Sequence, residues 1–109
     1  MAQENIQEGE SVDFTITLLD EPAFDFLLCF FKRKSGFKEI AKFAYPAKAG
    51  FITMSKDSDD YLCEVPKNNT IGAVGATQLE VQFIRGAKTD ITEKTDYRPI
   101  VSSLSPLSK

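Results

Sequence analysis

With 109 residues, 42% of them hydrophobic, the chain has room for one compact domain and enough apolar surface to offset the entropy of ordering it. Thirteen Lys and Arg are interspersed with sixteen Asp and Glu, giving a net charge of −3 and a pI near 4.9, which argues against a surface that neutralises nucleic-acid phosphates. The longest nearly uncharged apolar run, Phe26–Phe31, is far too short to cross a bilayer, and Met1–Asn5 is polar and acidic, unlike a secretory signal.

The expected organisation is a flexible lead over residues 1–8, a single domain over residues 9–101 and a flexible, serine-rich tail over residues 102–109. Within the domain, apolar residues recur with a period of two, the pattern of strands with one buried face. Val12, Phe14, Ile16 and Leu18 alternate with Ser11, Asp13, Thr15 and Thr17 in a first strand over Ser11–Leu19, and Asp20-Glu21-Pro22 ends it. Phe26–Lys32 is apolar on both faces, as in a strand covered on both sides or one meeting a partner molecule. After a turn at Ser35-Gly36, Phe37–Tyr45 forms a strand with Ile40 and Lys42 on one side and Ala41, Phe43 and Tyr45 on the other.

Pro46 through Gly50 turns the chain into a short strand over Phe51–Lys56. Asp57-Ser58-Asp59-Asp60 is a polar turn into Tyr61–Val65, which Pro66 closes. Lys67–Gly75 reads as a crossover loop in which the Thr70 hydroxyl starts a brief helical turn. Gln78–Ile84 alternates with high regularity, Arg85-Gly86 turns the chain, and Asp90–Ile100 is a final threonine-rich strand. About seven strands and no apolar stretch at helical spacing longer than about ten residues make the fold all-β, an antiparallel sandwich or barrel. Cys29 and Cys63 both fall in apolar alternating segments, which suits two buried free thiols, with a bridge between facing sheets as the alternative.

The segment Gly9-Glu10-Ser11-Val12-Asp13-Phe14-Thr15-Ile16-Thr17-Leu18, followed later by Thr70-Ile71-Gly72-Ala73-Val74-Gly75 and then the strand Gln78–Ile84, resembles the small immunoglobulin-like domains at the N-terminus of phage baseplate upper proteins and related tail components. The resemblance spans Gly9 to Ile100, with one departure: family members commonly carry an aromatic soon after the glycine, where this chain has Ala76-Thr77-Gln78. It implies an immunoglobulin-like antiparallel β-sandwich that serves as an assembly module of a virion, in baseplate, tail or head, usually in several copies.

Catalytic chemistry finds little foothold. Without histidine, a Ser or Cys nucleophile lacks its usual base, and neither G-x-S-x-G nor a phosphate-cradling glycine loop occurs. The acidic turn at residues 57–60 lacks the loop glycine and distal Glu of a calcium-binding EF-hand, so it reads as a solvated hairpin turn. Asp13, Asp20, Glu21 and Asp25 read as charges on turns and exposed strand faces, there being no tryptophan to stack a sugar. Lys32-Arg33-Lys34, with Lys38 and Lys42, forms the one compact basic patch and reads as a charged hairpin end that blunts sheet-edge aggregation. No cofactor or metal is expected.

The informative excess is aromatic. Phe24, Phe26, Phe30, Phe31, Phe37, Phe43, Tyr45 and Phe51 crowd one stretch, while a two-sheet body has a single core layer about 10 Å thick. Some of these rings should lie on an outer face and serve as a protein interface. The expected function is a non-catalytic structural module that contacts copies of itself, as a homo-oligomer, and other structural proteins of the same assembly, without nucleic acid or membrane. Its place would be the virion, after synthesis in the host cytoplasm, with a cytoplasmic protein as the alternative. The rival function is a carbohydrate- or surface-binding adhesion module on the same fold.

Overall fold

A computed structural model describes residues 5–18, 24–36 and 39–101. Among these residues the chain is all-β apart from one helical turn: β1 (Ile6–Gln7), β2 (Val12–Thr17), β3 (Phe26–Arg33), β4 (Glu39–Tyr45), β5 (Ile52–Thr53), β6 (Ser55–Asp57), β7 (Asp60–Val65), α1 (Lys67–Thr70), β8 (Gly75–Arg85) and β9 (Lys88–Val101). Two sheets result, one of six strands in the order β1-β9-β8-β3-β4-β5 and one of three in the order β2-β7-β6.

The alternating pattern does what the period-two rule requires. Val12, Phe14 and Ile16 on β2 and Tyr61, Cys63 and Val65 on β7 face inward from the smaller sheet. Leu27, Cys29 and Phe31 on β3, flanked by Phe43 on β4 and Phe83 on β8, face them from the larger. The Phe14 ring is the keystone: its centroid lies 5.9 Å from Phe31, 5.7 Å from Phe43 and 5.6 Å from Tyr97, the first two edge-on as aromatic quadrupoles prefer. Phe24 and Tyr45 pack beside Tyr61 at one flank of the same core.

Several expectations change in the structure. About seven strands become nine among the described residues. The strand foreseen over Phe51–Lys56 is two strands, because the chain leaves the larger sheet after Thr53 and joins the smaller at Ser55. Met54, at the crossing, buries its flexible side chain between the layers. Ile40 was assigned to the side opposite Ala41, yet both lie in the core, because β4 carries one more residue than β3 between the Phe31–Ala41 and Lys32–Glu39 pairs. This bulge turns an extra side chain inward, and its Ile40 carbonyl accepts the Asn69 side-chain amide at 2.8 Å.

Ile6 and Gln7, expected in the flexible lead, pair in parallel with Ile100 and Val101, and Ile6 is fully buried. An apolar side chain beside an unpaired sheet edge gains both burial and a ladder, which outweighs the polar residues around it. The helical turn in Lys67–Gly75 exists, but Thr70 ends it. The Thr70 hydroxyl instead accepts the Gly9 N–H at 2.8 Å and offers its hydrogen to the Lys67 and Glu10 carbonyls, at 2.9 and 3.1 Å. Gly9 sits at φ +87°, a left-handed turn conformation that its missing Cβ makes available. Met1–Glu4, Leu19–Ala23, Phe37-Lys38 and the tail after Val101 lie outside the described residues, and with them the pair Asp20 and Glu21.

Candidate protein-contact face

The outward face of the larger sheet is built around β3. With Leu27, Cys29 and Phe31 turned inward, Phe26, Leu28, Phe30 and Lys32 point outward. Register sets their neighbours: Ile84 beside Phe26, Ala44 and Gln82 beside Leu28, Lys42 and Glu80 beside Phe30, and Gln78 beside Lys32. Lys94 and Asp96 continue the two polar rows onto β9.

This face is roofed. β5 runs parallel to β4, so the chain must return along its own path, and residues 46–51 do so as a strap. The strap lays Phe51 edge-on against Phe30, at 5.9 Å and 74° between ring planes, and sets the Lys48 ammonium 4.9 Å from the Phe26 ring centre. Lys42 stands 4.9 Å from the Phe51 ring and Lys32 5.4 Å from that of Phe30. Beneath this cover Leu28 and Ala44 are buried although they point away from the core. The three rings Phe26, Phe30 and Phe51 remain half-buried. Each cation over a ring contributes about 0.5–1 kcal/mol at an exposed site, and the lysine stems cover apolar area while their ammonium groups stay in water.

A carboxylate anchors the arrangement. Glu80 retains only 4% of its surface, accepts the Gln82 side-chain amide at 2.7 Å, and pairs with Lys32 at 3.3 Å and Lys94 at 3.9 Å. The Gln82 hydrogen bond first, then Lys32 and Lys94, hold its carboxyl below the usual glutamate range, against the opposing effect of desolvation. Gln78, Glu80 and Gln82 alternate along β8 with Leu79, Val81 and Phe83. They point outward, yet Gln78 and Glu80 are buried, Glu80 beneath Lys32 and Lys94.

The aromatic set predicted for an interface therefore divides. Phe26, Phe30 and Phe51 meet on the outward face. Phe31 and Phe43 are fully buried in the core and have no surface to offer a partner, a correction that follows from the inward register of their positions. Phe24 and Tyr45 are half-buried against the core, and Phe37 lies outside the described residues. Sequence reasoning missed a second apolar spot: Ile71 and Val74, 57% and 42% exposed, on the loop after α1. Two bulky aliphatic residues set among glycines in a polar loop were the available signal.

Elsewhere the chemistry is sparse. A cleft of about 250 Å³ between Ile40–Lys42, Gly50, Ile52 and Asn69 is smaller than ordinary small-molecule sites. Among the described residues no three Cys, Asp or Glu side chains gather to hold a metal. Cys29 and Cys63 are buried free thiols in facing sheets. Their mutual hydrogen bond, then burial, push the Cys63 thiol far above its ordinary range, which makes it a poor nucleophile. Asp57–Asp60 is a hairpin turn with Ser58 at φ +58° and its carbonyl held by the Lys56 ammonium. No described helix is long and apolar enough to cross a membrane. Neither family models, nor curated proteins, nor solved structures yield a match to this chain.

Proposed function

We propose that this chain is a non-catalytic assembly module, an immunoglobulin-like β-sandwich that acts through protein–protein contacts as a structural component of a phage virion, in baseplate, tail or head. The observation that carries the contact reading is the outward face of the larger sheet, where three half-buried phenylalanine rings lie beside lysine side chains. Large aromatics at the middle of a sheet face are the groups that anchor protein interfaces.

The strand order supports the fold reading. β9, β8 and β3 with β4 and β5 appended on one side, facing β2-β7-β6 on the other, follow the GFC-plus-extension and B-E-D arrangement of a variable-type immunoglobulin sandwich. The virion reading rests on the resemblance of Gly9–Leu18 and Thr70–Gly75 to phage baseplate domains. The copies such a module needs would come by repetition of one contact.

Binding measured by sedimentation between this chain and the products of the genes beside its own tests the proposal. Specific association with a structural neighbour or with itself is expected, weakened by Phe26→Ser combined with Phe30→Ser. A chain that binds neither itself nor any of those products would overturn it.

A further inference from the structure

The two sheets turn chemically opposite faces to solvent. On the smaller sheet, the outward rows are Asp13 with Glu64, Thr15 with Leu62 and Ser55, and Thr17 with Asp60 and Asp57. Four carboxylates thus share a three-stranded face with no lysine or arginine in its register, since Lys56 pairs with inward-facing Tyr61. Two of the contacts, Asp13 opposite Glu64 and Asp57 opposite Asp60, set like charges across a strand pair, an arrangement that destabilises a sheet standing alone. The Thr17 hydroxyl donates to Asp60 at 2.7 Å, which orients that carboxylate without neutralising it. Among the described residues the ion pairs engage Glu80, Asp90 and Asp96, all on the larger sheet, and none takes a carboxylate from this face.

The face of the larger sheet carries Lys32, Lys42, Lys48 and Lys94 around three half-buried rings. Its carboxylates are Glu39, Glu80 and Asp96. Glu80 is buried beneath Lys32 and Lys94, and Asp96 is engaged by Lys34 at 3.0 Å. Lys42 and Lys48 stand over Phe51 and Phe26, where a carboxylate from outside would meet both a cation and an apolar floor.

Resting on the assembly reading, we infer that copies of this chain associate head to tail, the acidic face of β2-β7-β6 on one copy seated against the lysine and phenylalanine face of β3, β4 and the strap on the next. Charge selects this mode. A two-fold pairing of like faces would bring carboxylates against carboxylates or lysines against lysines, whereas the heterologous pairing brings each like-charged row a counter-charge. Such a contact leaves one free face at each end and so propagates into a ring or a filament.

Light scattering of the full chain over a range of concentrations tests this, first through salt. Association is expected to weaken roughly tenfold as salt rises from about 0.05 to about 0.5 M, because exposed charge pairs are screened. The double variant Asp13→Lys, Glu64→Lys and the double variant Lys42→Glu, Lys48→Glu should each remain monomeric where the unaltered chain assembles. Mixed in equal amounts, they should assemble again, since each supplies the face the other can bind. Self-association that is indifferent to salt, or that persists in both variants, would overturn the head-to-tail contact and leave the assembly reading standing. A chain monomeric at every concentration would also overturn the contact; the assembly reading would then fall only if the neighbouring gene products failed to bind as well. Circular dichroism of the variants establishes that they fold, and the salt series on the unaltered chain decides the question if they do not.

Discussion

Phe30 and Phe31 are adjacent in the chain and identical in composition, yet they live in different solvents. Phe31 is fully buried, clasped by Phe14 and Tyr97 between the sheets. Phe30 is half-buried on the other side of the same strand, under Phe51 and the Lys32 ammonium. The inner wall is closed by one sheet meeting another, the outer by a strap and by long polar side chains laid flat. A small sandwich can therefore carry more aromatic mass than its interior holds, provided a loop and lysine stems share the covering.

The contrast would break first at Phe31. Phe31→Ala should cost about 3–5 kcal/mol in urea unfolding, as large-to-small changes in a packed core do. If it costs no more than the same change at Phe30, the distinction between the walls is wrong.

Next in size is the outer wall's anchor. Glu80→Gln should cost about 2 kcal/mol at neutral pH, because hydrogen bonds to a charged group are lost while the lysines remain. The carboxyl is held below its ordinary value near 4.5, so its contribution is complete above that pH and fades as pH falls through the lower folded value. Unfolding curves for the two proteins should therefore run at a constant separation from about pH 7 to pH 5 and converge in more acid solution. A gap that is unchanged toward low pH would mean that charge at Glu80 contributes nothing.

Smaller effects would sharpen the picture. Phe30→Ala should cost about 1 kcal/mol, from partial burial alone. Lys42→Ala should cost about 0.5 kcal/mol and raise the binding of a hydrophobic dye, since the ring of Phe51 loses its cover. A larger loss at Lys42 than at Phe30 would reverse the roles assigned to ring and cation.

Much of the inner wall was legible in the chain, because the alternation of Val12, Phe14 and Ile16 or of Leu79, Val81 and Phe83 encodes a buried side directly. The doubly apolar run Phe26–Phe31 also announced a strand with two apolar faces, the outer one covered by the chain itself or by a partner. What covered it was illegible. Phe51 reaches Phe30 only because β5 returns parallel to β4, and a parallel return across six residues has no signature in Pro46–Phe51 that separates it from a hairpin. Ile40 was misplaced because a bulge shifts phase by one residue and leaves no mark in the composition. The burial of Glu80 was illegible because period-two reasoning assigns direction and is blind to what lies on top.

The parallel pairing of Ile6 with Ile100 has a topological consequence. Among the described residues the first ladder and the last share one corner, so a short peptide running back from residue 101 to residue 5 would close a circle at little entropic cost. Cutting that circle at the Gly86-Ala87 bend would give a permuted chain with every other ladder intact. By the same geometry, a body of this kind can be spliced into a surface loop of a host protein without prising the loop's two stems apart.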